Sequence, residues 1–223
     1  MLNLTRPLNA VAGQRNGARI FKYIIVIDLE ATCYTRTVHE HEIIEFPAVL
    51  LNLVTGKIEA EFRQYVTPLM NPQLTRFCTE LTGIRQEQVN AGVSLSNCLL
   101  LFDKWLKTVL AARNLFLPRT NPNDPTGNVA FATWTNWDLG ECLSKDCARN
   151  QIRKPAYFDL WIDVKSIYMN FYKRCSDNLS EALSNMGLIF EGREHCGLDD
   201  SRNLAKMIVR MFQDGARFEI TNQ

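Results

Sequence analysis

Ile24-Ile25-Val26-Ile27-Asp28-Leu29-Glu30-Ala31-Thr32-Cys33 is the stretch on which the fold turns. Its apolar, β-branched opening reads as a strand inside a sheet, at about 22–29. Side chains alternate along a strand, so Asp28 and Glu30 point to the same face. Two like charges side by side in a low-dielectric setting are costly. A bound divalent cation would offset that cost, so the pair marks a candidate metal site.

Working outward, His41–Asn52 reads as a second strand, Thr55-Gly56 as a turn, and 57–67 as a third strand, an antiparallel meander. The period then changes. Leu95, Leu99, Phe102, Leu106 and Val109-Leu110 recur at threes and fours, which predicts a helix over 94–112. Three prolines and a glycine place a loop at 113–128. A strand follows at 128–134, and a helix starts near Asp138. Further helices are expected at 162–172, 177–187 and 198–213, with a final short strand at 216–220. Strands alternating with helices predict one α/β domain, a mixed sheet flanked by helices. Residues 1–20 read as a flexible lead-in and 21–221 as the domain.

Composition sets outer bounds. The chain has 223 residues, 46% of them hydrophobic, enough for a full core. A net charge of +1 means that any nucleic-acid binding depends on a local patch. One candidate is 145–174, where Lys145, Arg149, Arg153, Lys154, Lys165, Lys173 and Arg174 face only Asp146, Asp159 and Asp163. An ordinary solvated surface is the other reading. The seven cysteines form no CxxC pair, which argues against a zinc site or a disulfide framework and for reduced thiols inside a cell. Cys33 and Cys196 are read as small buried apolar residues. No stretch approaches the roughly 18 apolar residues of a membrane span. Residues 1–27 hold Arg6, Arg15, Arg19 and Lys22 and no acid. A mitochondrial address, a phosphate-touching arm and a plain tail all stay open.

Asp138 follows a strand end, where α/β sheets present their chemistry, although capping the next helix is an equal reading. In His195-Cys196-Gly197-Leu198-Asp199-Asp200-Ser201, helical phase separates two acids. Asp200 lies one turn before Leu204, Met207 and Met211 and points inward. Asp199 shares a face with Asn203, Lys206 and Arg210 and is expected in solvent. Four carboxylates suit hard cations such as magnesium or manganese, and two such ions serve phosphodiester hydrolysis. A histidine such as His195 can accept the proton of a water.

Asp28-x-Glu30, Asp138 and His195-x4-Asp200 together resemble the DEDDh exonucleases of the DnaQ-like, ribonuclease-H-like superfamily. Ile27–Cys33, Glu42–Pro47, Phe77–Ile84 and His195–Ser201 are similar to the branch that holds the enhancer-of-RNAi and histone-mRNA 3′-exonucleases. The resemblance implies a single-domain ribonuclease-H-like sheet and 3′-to-5′ exonuclease activity. It implies two Mg2+ ions, replaceable by Mn2+, held by Asp28, Glu30, Asp138 and Asp200. Glu30 and His195 would act around the attacking water, with His195 as general base. Ala31 and Thr32 would lie against the terminal nucleotide. Trp137 would stack on a base or pack beneath the site. The implied partner is a nucleic acid with an accessible 3′ end, RNA and in principle DNA. The extra N-terminal binding module of some members is not expected here. A monomer in the cytoplasm or nucleus is expected, with mitochondria open. A catalytically silent binding module on the same fold is the alternative.

Overall fold

β3 (Ile43–Asn52) is buried along its whole length and organises the sheet. In this computed structural model, which describes residues 21–34, 40–118 and 127–221, three strands pair with it antiparallel. On one side lies β4 (Lys57–Tyr65), reached by the expected tight turn. On the other side lie β1 (Tyr23–Val26) and, after a gap, β2 (Glu30–Ala31). Beyond β1 the sheet continues in parallel with β5 (Val129–Thr133) and β6 (Trp161–Asp163). The lead-in 1–20 and half of the 113–128 loop lie outside the described residues.

Each face of the sheet has its own core. Ile25, Ile27 and Phe46 pack with Leu99, Phe102 and Leu106 of α3 (Leu95–Arg113). Ile24, Val26 and Val49 pack with Leu204, Met207 and Met211 of α7 (Gly197–Gln213), beside α5 (Val164–Tyr172) and α6 (Leu179–Asn185). The stripe at threes and fours therefore marks the buried side of both long helices. All seven cysteines carry free thiols. Among the described residues no helix is long and apolar enough to cross a membrane.

Several expectations need correction. The expected strand at 22–29 is interrupted, because register runs to Val26↔Val49 and resumes only at Glu30↔Glu45. The helix expected from 162 begins at Val164, after the short strand β6. Asp163 ends that strand and caps α5, its Oδ1 accepting from the Ser166 N–H. No strand forms at 216–220; Thr221 alone bonds to β6, through the Trp161 carbonyl and the Asp163 N–H. Two short helices, α1 (Arg76–Thr82) and α2 (Gln86–Asn90), were not expected from periodicity. Before β6, α4 (Leu143–Arg149) follows a wider turn described below.

Candidate active site

The gap between β1 and β2 builds the site. Ile25, Ile27, Leu29 and Ala31 all face the α3 core, so side-chain alternation survives the break. Asp28 and Glu30 therefore continue the opposite face, that of Ile24 and Val26. Freed from the ladder, the Leu29 N–H donates to Asp138 Oδ1 at 2.8 Å. Asp138 is in place because β5 runs parallel to β1, with Ala132 opposite Val26. The chain then makes a π-helical turn over Trp137–Cys142, in which the Leu143 N–H reaches the Asp138 carbonyl five residues back. Such widened turns recur at functional sites. Asp138 thus does not cap the next helix; one of its oxygens fastens the β1–β2 gap while the residue lines the cleft.

The third contributor is the start of α7. A Cβ on Gly197 would stand 2.6 Å from the Asp28 carbonyl oxygen and 3.3 Å from Glu30 Cγ. Only a residue without a side chain lets this helix approach the two acids so closely. Gly197→Ala is expected to push the helix outward, lowering activity about 10²-fold through misplacement. It should also cost about 1–3 kcal/mol of stability through overpacking. Rate and thermal melting measured together check this, and wild-type values for both would refute it.

Asp28, Glu30, Asp138 and His195 line one open cleft of about 310 Å³, walled by Ala31, Trp137 and, from α1, Leu81 and Thr82. Asp200 stands behind the cleft wall, 9% exposed, with Oδ2 buried and unpartnered. His195 is exposed and has left-handed backbone, φ 61°. Thr32 does not line the cleft; its hydroxyl accepts the Glu42 N–H at 3.0 Å. A larger groove of about 570 Å³ lies along the outside of α7. Its charges are already matched, Arg202 with Glu61 and Asp199 and Lys206 with Glu191, so the chemistry belongs to the smaller cleft.

Electrostatics single out the same four acids. Asp28 opens partly to the cleft, yet burial raises its pKa well above the carboxylate range, and Asp138, Asp200, Glu30 and Glu45 push it further. Burial, then Asp200, Glu45 and Asp138, push Glu30 up to about 10. Burial raises Asp138 to about 7 against the pull of the Leu29 N–H. Burial, Asp199, Glu194 and Glu45 raise Asp200 to about 7, against the His195 backbone N–H. No lysine or arginine among the described residues forms a salt bridge with any of the four; Arg63 goes to Glu45. No three acidic, thiol or imidazole groups among the described residues already form a coordination shell. The fit to a hard cation rests on an all-oxygen donor set short of positive charge and on the unpartnered Asp200 Oδ2.

The model of the Exonuclease (RNase T) family matches residues 25–208. The chain belongs to that exonuclease family. Over 205 residues it is 51% identical to the 3′-5′ exonuclease Snipper of Drosophila melanogaster, covering 90% of this chain and 73% of the fly protein. It is 46% identical to ERI1 exoribonuclease 2 of Homo sapiens, covering 96% of this chain but 32% of that longer protein. The nuclease domain of 3′hExo, a DEDDh family member solved bound to rAMP, superposes with a TM-score of 0.80 at 37% identity, covering 91% of this chain and 98% of that one. The exonuclease is thus a hydrolytic nuclease of the 3′-to-5′ class, in a divalent-metal-dependent family.

Other expectations for the exonuclease change. Asn203 does not face solvent, and Asp199 does so only in part. Residues 189–193 fold back over them: Asn203 Oδ1 takes the Glu191 N–H, and Asp199 Oδ2 takes the Arg193 N–H. Cys33 and Cys196 are half-buried rather than buried. The excess charge of 145–174 is largely spent on Glu141, Glu40, Asp146, Asp159 and two main-chain carbonyls. Among the described residues, Arg153 and Lys173 form no side-chain hydrogen bond or ion pair. Sequence reading gave no role to Glu45, opposite Glu30 on β3, although an acid inside an apolar strand was a visible signal. His41 was also passed over. It borders the cleft, meets Trp137 edge-on at 5.9 Å and reaches the Thr32 carbonyl through Nδ1 at 2.6 Å.

Proposed function

We propose that this exonuclease removes nucleotides from the 3′ end of RNA with two Mg2+ ions, Mn2+ being able to replace them. The observation that carries this is the convergence of Asp28, Glu30, Asp138 and His195 on one cleft. Asp28, Glu30 and Asp138, with Asp200, are the residues that would hold the ions. When bound, such a pair lowers the pKa of a water and stabilises the leaving oxygen. Everything else falls to the chain. His195, exposed at the cleft rim, accepts the proton of the attacking water and returns it to solvent. Ala31 presents only a methyl group, so the terminal sugar can approach the backbone beside Glu30. Thr32 acts only by supporting Ala31 from beneath, its hydroxyl, N–H and carbonyl all being engaged with Glu42 and His41. Trp137 offers a face for a base, its ring steadied by His41.

RNA is favoured because a related protein was solved bound to rAMP and another, at 36% identity, recognising a histone mRNA stem-loop. DNA ends share the phosphodiester chemistry and enter the test. Free thiols throughout support a reducing, intracellular setting for a monomeric enzyme.

Purified protein given 5′-labelled RNA, DNA, blunt duplex and 3′-overhang duplex should shorten single-stranded RNA stepwise from the 3′ end with Mg2+. EDTA should stop it. Loss from the 5′ end, or cleavage that survives chelation, would falsify this reading. Tight binding without shortening would instead mark a silent binding module.

A further inference from the structure

We propose that Arg193 is a positioning residue for His195, a latch that ties the histidine loop to α1 across the cleft. The proposal rests on the reading of His195 as proton acceptor. His195 holds a backbone conformation that non-glycine residues rarely adopt, φ 61°. Such a residue persists where its surroundings over-determine it. Arg193, two residues earlier, supplies part of that determination.

Its Nη2 donates to the Glu80 carbonyl at 2.6 Å. Glu80 lies in the last turn of α1, where unpaired carbonyls and the helix dipole favour a cation. The guanidinium also lies against Gly83, the left-handed residue that ends α1; a Cβ there would stand 2.7 Å from Nη1. The main chain of Arg193 is fixed from the other direction. Its N–H donates to Asp199 Oδ2 at 3.1 Å, and its carbonyl takes the Cys196 N–H at 3.2 Å, closing the turn that contains His195. Ser180 Oγ and Arg63 hold the neighbouring Glu194 and Cys196. Among the described residues, only the Arg193 bond joins this loop to α1.

Position gives that bond its consequence. Leu81 and Thr82 of α1 form one wall of the cleft, and His195 stands on another. Arg193 therefore sets the distance between a substrate-facing wall and the histidine. Arg193 forms no salt bridge among the described residues, so its side-chain bond to the Glu80 carbonyl serves geometry rather than charge pairing. Losing the latch should slow the chemical step and leave ground-state binding intact.

The test is steady-state kinetics on single-stranded RNA with Mg2+. Arg193→Met and Arg193→Lys are measured in the native enzyme and in a His195→Asn background. Arg193→Met should lower kcat roughly 10- to 100-fold with KM held within about twofold. Arg193→Lys, whose ammonium can still reach the Glu80 carbonyl, should recover most of that loss with an unchanged melting temperature. In the His195→Asn background Arg193→Met should cost less than about twofold, since residues acting as one unit are non-additive. Additive losses overturn the latch alone. A raised, salt-dependent KM with native kcat also overturns it, making Arg193 a phosphate contact. A native rate for His195→Asn overturns the proton-acceptor reading, and the latch with it.

Discussion

Asp28→Asn is expected to lower the exonuclease rate by ~10³-fold or more, the scale of losing a group that stabilises transition-state charge. The same change should raise the melting temperature at neutral pH in EDTA. Burial and four neighbouring acids hold the folded pKa of Asp28 above its unfolded value. A carboxyl so shifted holds its proton more tightly in the folded chain. Stability is therefore lost as pH rises from the unfolded pKa towards the folded one. Asp138 and Asp200, both near 7, place most of this loss between about pH 4 and 7, on the order of 1 kcal/mol per pH unit per group. Glu59 and Asp214 are shifted downward by Arg113 and Tyr172, and their opposite contribution falls away only below about pH 4. Metal-free protein should thus melt at a lower temperature at pH 7.5 than at pH 5.5. Mg2+ at 100 times its Kd should restore about 2.7 kcal/mol. Melting curves across this range, with EDTA or Mg2+, are the measurement. A higher midpoint at pH 7.5 in EDTA would contradict the site electrostatics.

Asp200→Asn should be almost as damaging, roughly 10²- to 10³-fold, while its neighbour Asp199→Asn stays within several-fold of the native rate. The two acids are adjacent in sequence and differ in what they touch. Asp200 is 9% exposed with an unpartnered oxygen behind the cleft, and it raises the pKa of both Asp28 and Glu30. Asp199 points the other way, to Arg202 at 3.1 Å and to the Arg193 N–H. Its loss should register as about 0.5–1.5 kcal/mol of stability, the worth of a hydrogen bond. Paired rate and melting measurements separate the two, and equal rate losses would remove Asp200 from the site.

Much of this was legible in the residues, for reasons that can be named. Alternation put Asp28 and Glu30 on one face and remained true across a break it could not foresee. The break depends on Asp138, 109 positions away, taking the Leu29 N–H. The stripe Leu204, Met207, Met211 gave the inward direction of Asp200 correctly. It misjudged Asn203, which is 2% exposed, because the covering segment 189–193 folds back through tertiary contacts. α1 spans seven residues, too few for a 3.6-residue period to declare itself, although Thr75 caps it through the Cys78 N–H. β6 has three residues and runs into α5 at its own cap, so strand and helix signals merge at Asp163.

The parallel pairing of β1 with β5, and the seating of Gly197 against Asp28, have a consequence during synthesis. Contacts between segments so distant in the chain form late. The acids of the first strand leave the ribosome without Asp138 to fasten them and without Asp200 behind them. A growing chain therefore carries no competent centre until its last long helix has emerged.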